Sequence, residues 1–262
     1  MSHAFYENIN TKLGRPETPP TPTPTGTPTA YMMFINRLVF AVLLLFNLSV
    51  FGASVSSRTS TSELGHLERR DDNLPARVPY VFPPPGTDPI ADKIRTRRAN
   101  GTLLDLDGAL LNAPLVASTW DGYFGVIRDN NSLPADMREL FILRIAVLNN
   151  ASYEWLQHEP VGRSAGLTTE QLLTIRLAPP FFEGMNLTSV LGEPLTAALA
   201  FTDWITKSIR VPDDVFNNLR QFLNDTQMVE ATATTGGYNL VSRFVVALNV
   251  DGKMDVPVPI PS

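Results

Sequence analysis

The stretch ADMRELFILRIAVLNN, residues 135–150, limits the fold of this chain more than any other. Its second half, FILRIAVL, is apolar on nearly every side of a helix, so that helix must be enclosed by others and cannot lie on a surface. Pro134 stands ahead of it, where a helix start tolerates proline because the first amides have no intrahelical partner. Further helical segments flank it. Residues 116–128 form one. Residues 153–164 form another after the Asn149-Asn150 turn, with Ser152 as cap, a kink at Pro160 and a left-handed stop at Gly166. Thr168 and Gln171 make a capping box for TTEQLLTIRL. After a Pro179-Pro180 break comes PLTAALAFTDWITKSI, then Pro212 and Asp213 open DDVFNNLRQFLND, and a last helix covers residues 228–248. No segment alternates as a strand would, and no repeat recurs at fixed spacing. The expectation is one all-α domain of antiparallel helices over residues 89–256.

The chain ahead of that domain has a different character. Residues 1–31 alternate proline with threonine (PETPPTPTPTGTPT), which removes donors and fixes φ, and read as a disordered tail or an upstream extension. Residues 32–54 place Arg37 before the apolar run LVFAVLLLF and a small-residue stretch, the layout of a secretory signal. Two readings stay open: a signal peptide translated from Met32 or Met33 and cleaved near Ala53, or an uncleaved anchor through residues 38–53, the one stretch suited to a membrane. Residues 55–88, with the dibasic Arg69-Arg70, read as a linker or propeptide. Either way the helical domain is expected to be secreted or lumenal. Five glycosylation sequons, at Asn100, Asn130, Asn150, Asn186 and Asn224, agree with export and a glycoprotein.

Composition removes several chemistries. The 262 residues hold no cysteine, which excludes disulfides, thiolate nucleophiles and sulfur-ligated metals, and the net charge of −5 argues against nucleic acid as a partner. His158 is the sole histidine of the helical domain; His3 and His66 lie upstream. It follows Glu154 by four residues, so both side chains leave one helical face about 40° apart. Glu139 precedes the apolar run of the neighbouring helix. A hairpin through Asn149-Asn150 would bring it to His158, and two carboxylates around an imidazole form a proton-transfer set. A solvated surface pair is the alternative reading of that spacing. One histidine does not make a usual metal triad, so no metal and no cofactor is expected.

The segment ELFILRIAVLNNASYEWLQHEPVGRSAGLTTEQ resembles the signature of the carboxymuconolactone decarboxylase/alkylhydroperoxidase D-like superfamily. That signature is a glutamate, a helix ending in asparagine, then Cys-x-Tyr-Cys-x-x-x-His and an Ala-Gly turn. Glu139 falls on the glutamate, His158 on the histidine, Tyr153 on the aromatic and Ala165-Gly166 on the turn. Ala151 and Glu154 occupy the two cysteine positions. The resemblance extends over residues 110–250 and implies an AhpD-like helical bundle that assembles as a homo-oligomer, a trimer or hexamer. It also implies a cofactor-free lyase or isomerase acting on a small carboxylated lactone or enol, in the manner of the decarboxylase branch. His158, Glu154 and Glu139 would be catalytic, while Arg144, Arg163 and Tyr153 would bind substrate. Arg144 also reads as half of an internal ion pair, and Tyr238 and Arg243 as facing either the site or a neighbouring subunit. The rival readings are a non-catalytic binding or structural protein of the same fold and, less compatible with a cysteine-free chain, a peroxidase-like activity.

Overall fold

Capping residues written in the sequence set many of the helix boundaries in the computed structural model, which describes residues 76–98, 100–182 and 184–262. The tail 1–31, the signal or anchor segment 32–54 and the linker as far as residue 75 lie outside the described residues. Asp88 accepts from the amides of Ile90 and Ala91 and is followed by proline, which starts α1 (Pro89–Arg97). α2 (Asp105–Leu110) is short, and α3 (Pro114–Asp129) again opens on proline. α4 (Ala135–Leu148) and α5 (Ser152–Ser164) are joined by a turn in which Asn150 has φ 51°.

A Schellman stop ends α5: the Leu167 amide reaches the Gly162 carbonyl and the Gly166 amide that of Arg163, with Gly166 at φ 105°. α6 (Thr169–Leu177) begins on the reciprocal Thr168/Gln171 box. α7 (Thr188–Lys207) breaks at Gly192, φ 73°, just before Pro194. α8 (Asp213–Arg220) leads to α9 (Asp225–Ala247), which starts on a second box, Asn224/Gln227, and a 3-10 turn follows at Val250–Gly252. The architecture is all-α, and no strand occurs among the described residues. No helix among them is long and apolar enough to cross a membrane.

One local expectation changes. Ser152 is the first helical residue and not a cap; its hydroxyl donates instead to the Val256 carbonyl of the C-terminal tail. Pro160 lies inside α5 without ending it, on an exposed face where water can take the carbonyl it frees.

α4 is the centre of the domain. Leu140 through Ala146 are all buried, and the helix packs on α5, α7 and α9. Fully burying each of its large apolar side chains contributes roughly 1.5–3 kcal/mol. A smaller cluster of Ala91, Ile94, Leu110, Leu111 and Ala117 joins α1, α2 and α3. Packing reaches beyond residues 89–256 on both sides. The Arg77 and Val81 amides bond to the Leu248 and Gly108 carbonyls, and Val258 is buried with its carbonyl on Arg176.

Candidate active site

The α4–α5 hairpin brings Glu139 to His158. Glu139 Oε2 lies 2.8 Å from His158 Nδ1, and both side chains are buried. One turn beyond His158, Gly162 lets α5 close on α4: a Cβ there would stand 3.0 Å from Leu143 Cδ1 and 3.6 Å from Glu139 Cβ. α9 supplies the other ring nitrogen's partner, the Tyr238 hydroxyl, 3.3 Å from Nε2, with the two rings edge to face. A carboxylate at Nδ1 and a hydroxyl at Nε2 define the neutral tautomer with its proton on Nδ1. Glu139 then accepts from the ring, and Tyr238 donates to the Nε2 lone pair.

The charges follow from this environment. Burial alone would raise the Glu139 carboxyl. The hydrogen bond and charge of His158, helped by Arg138 and Arg128, outweigh burial and hold Glu139 below the usual carboxylate range. Burial pulls His158 below the ordinary imidazole value, although Glu139 pulls it the other way. Glu154 goes in the opposite direction to Glu139. Its burial pushes the carboxyl well above its ordinary value, and the 2.7 Å hydrogen bond from Ser242 only partly opposes this. Its second oxygen, Oε1, is buried with no hydrogen-bond partner among the described residues. A carboxyl pushed toward its protonated form and an imidazole pushed toward its neutral form therefore sit one turn apart on a single helical face. Tyr153 and Tyr238 are both raised by burial and stay as hydroxyls.

Glu154, His158, Tyr153 and Tyr238 line one cavity of about 390 Å³, near the lower end of the small-molecule range. Trp120 and Phe124 of α3 and Val241 of α9 form its apolar walls. Six further lining residues, Arg97, Arg98, Asn100, Thr102, Leu104 and Leu106, come from the end of α1 and the start of α2. Glu139 stands behind His158 and does not line the cavity.

The two arginines expected to bind substrate are placed elsewhere. Arg144 is fully buried in a two-pronged pair with Asp203 at 2.6 and 2.9 Å and also donates to the Ile175, Ala178 and Pro179 carbonyls. Arg163 pairs with Glu159 at 2.7 Å and reaches Thr169 and the Ser262 carbonyl. Each lies five residues from a site residue, Arg144 from Glu139 and Arg163 from His158, and five residues turn a helix to about 140° away. The arginines at the cavity are Arg97, Arg98 and Arg128. Sequence reasoning missed these three because α1 and the end of α3 approach the site only through tertiary packing. Among the described residues, no group of three histidine, aspartate or glutamate side chains is arranged to hold a metal.

The helical bundle encloses a Glu–His–Tyr chain and a buried carboxyl beside a cavity, with no thiol. The model of the carboxymuconolactone decarboxylase family matches residues 114–191, the span that carries Glu139, Glu154 and His158. The fold is similar to that of an uncharacterized peroxidase-related protein from Silicibacter sp. TM1040, with 16% identity, 66% of this chain and 91% of that chain covered, and a TM-score of 0.52. It is also similar to a cysteine-to-alanine variant of the debrominase Bmp8 in complex with 2,3,4-tribromopyrrole, with 15% identity, 70% and 91% covered and a TM-score of 0.51. A protein of unknown function from Agrobacterium tumefaciens matches at 21% identity over 53% of this chain and 91% of that one, with a TM-score of 0.47. No curated protein matches the chain by sequence. The family model and the fold agree over the α4–α5 hairpin, where this chain carries no thiol.

Proposed function

We propose that the protein is a cofactor-free acid–base lyase or isomerase acting on a small carboxylated lactone or enol. One observation carries this reading: Glu154, shifted toward its protonated form, and His158, shifted toward its neutral form, line the same cavity from one helical face. Environments that push two titratable groups in opposite directions assign an acid and a base at neutral pH. Glu154 is then the proton donor. His158 Nε2 is the acceptor once the substrate displaces the Tyr238 hydroxyl from its lone pair, and ionised Glu139 stabilises the imidazolium that forms.

In an isomerisation, Nε2 takes the proton from a carbon next to the lactone carbonyl, and Glu154 returns one at the far end of the conjugated system. In a decarboxylation, the bond to the departing carboxylate breaks and CO₂ leaves. The electron pair moves into the conjugated carbonyl as an enolate, which Glu154 protonates. Neither route needs an oxidant. The superfamily's thiol peroxidase route has no residue to run on, since Ala151 and Glu154 stand in the cysteine positions.

The proposal includes export and self-assembly. The signal-like segment supports the first, and so does the exposure of all five sequon asparagines. Treating protein from a eukaryotic secretory host with an endoglycosidase should lower its apparent mass. The superfamily resemblance supports the second, and light scattering should give a mass above that of a monomer.

The activity is tested by following CO₂ release and ultraviolet absorbance with a panel of carboxylated lactones and enols, wild type against His158→Ala. Turnover in the wild type that the variant loses supports the reading. Equal rates in both would overturn it.

A further inference from the structure

The cavity has a charge pattern that the proton-transfer site does not explain. Three guanidiniums line it, and two are already matched. Arg97 pairs with Asp121 at 2.8 Å and Asp129 at 3.5 Å, while Arg98 forks onto Asp107. Behind the site, ionised Glu139 is met by His158 and by Arg138 at 3.3 Å. Arg128, in the last turn of α3, is the third and is only half-buried. Among the described residues it makes no hydrogen bond or ion pair. Glu154 adds no charge while it is protonated. Arg128 is thus the lining guanidinium with no carboxylate within hydrogen-bonding reach, its charge felt at a distance by Glu139.

A second anion would have to pull Asp107 or Asp121 off its arginine. Those carboxylates have side-chain exposures of 3% and 6%, so stripping either would leave a buried charge unpaired. Aromatic rings set at angles to one another form much of the remaining lining, beside the polar Asn100, Thr102 and Gln157. Trp120 and Phe124 have ring centroids 4.8 Å apart, Phe124 and Tyr238 5.5 Å, and Leu104 and Val241 add aliphatic lining.

We infer that the site takes a conjugated molecule bearing a single carboxylate, which Arg128 anchors. The inference names the substrate class of the acid–base site and rests on that reading for the reaction, though not for binding. A carboxylate on Arg128 fixes one end of the ligand, and the aromatic walls hold its conjugated body against Glu154 and His158. A guanidinium–carboxylate bond in a partly desolvated site changes affinity by about ten- to a hundredfold.

Titration calorimetry with an unreactive set tests this: trans-cinnamate as conjugated monoanion, cinnamamide as its neutral counterpart and 4-carboxycinnamate as dianion. Cinnamate should bind about ten- to a hundredfold more tightly than cinnamamide, and the dianion no better than the monoanion. Arg128→Met should bring cinnamate down to the level of the amide and leave the amide unchanged, while Arg128→Lys retains part of the preference. Quenching of Trp120 fluorescence, read against a Trp120→Phe control, gives an independent measure of occupancy at the cavity wall. Equal affinity for acid and amide, tighter binding of the dianion, or an Arg128→Met variant that still prefers cinnamate would each overturn the inference. Because no turnover is involved, binding as expected with an inactive lactone panel would sink the catalytic reading alone.

Discussion

Helix α4 carries two buried charges five residues apart, and they belong to clusters of opposite kinds. Arg144 meets Asp203 with both side chains at zero exposure. Three backbone carbonyls take the remaining guanidinium protons, and the Phe181 amide adds a donor to Asp203. That cluster is closed, with its polar groups spent on tying α4 to α7 and the loop after α6. Around Glu139 the cluster is open: His158 and Glu154 line a cavity, and Glu154 Oε1 has no hydrogen-bond partner among the described residues. A satisfied buried network is rigid and chemically inert. A network with an unused hydrogen-bonding group beside a cavity keeps free energy available for a ligand. The same helix thus separates holding the fold from doing chemistry by about 140° of rotation.

Substitutions should keep the two clusters apart. Arg144→Ala strands Asp203 in the core and should lower unfolding free energy by about 3–5 kcal/mol, measured by chemical denaturation. The pair Arg144→Met with Asp203→Leu should recover most of that, and a single variant of near wild-type stability would break the contrast. His158→Gln keeps a hydrogen-bonding partner for Glu139 but loses the base. It should cost about 10²- to 10⁴-fold in rate, with a denaturation midpoint much nearer wild type than that of Arg144→Ala.

Gly162→Ala sits between the effects. Its methyl presses on Leu143 and Leu167 at 3.0 and 3.2 Å, and the variant should lose about 1–3 kcal/mol of stability along with activity as α5 lifts His158 away from Glu139. Glu154→Gln should show the smallest effect, as a slope. The folded Glu154 pKa is raised, so the folded state binds more protons than the unfolded one. Wild-type stability therefore falls as pH rises from the ordinary carboxylate value toward the raised one, by at most about 1.4 kcal/mol per pH unit. In pH-dependent melts the glutamine variant should lack that component of the slope.

Much of the closed architecture was legible locally. The all-apolar FILRIAVL run, the Thr168/Gln171 box and the Gly166 stop are short-range signals, and each appears where its physics requires. The last helix begins three residues earlier than its apolar pattern implies because Asn224 and Gln227 form a capping box, a signal present in the sequence and passed over. Gly237 takes a close-packing position on α9. A Cβ there would sit 2.9 Å from Tyr123, whereas the adjacent Gly236 faces open space.

At the site, Glu139, Glu154 and His158 were readable because the hairpin that joins them is continuous in sequence. Tyr238 came only as an open alternative, and Arg128, Arg97 and Arg98 not at all, since 80 residues separate Tyr238 from His158 and nothing local marks an arginine as unpaired. Arg144 had two readings, and its carboxylate proved to be Asp203, 59 residues on.

The account turns on Glu154 being a neutral acid at the pH where His158 is a neutral base. Infrared difference spectroscopy at neutral pH, wild type minus Glu154→Gln, reads this directly. The wild type should show a protonated-carboxyl C=O band that is absent from the variant, with Ser242→Ala shifting its frequency. A difference spectrum showing only carboxylate bands would mean that Glu154 is ionised and would contradict the proton-transfer site.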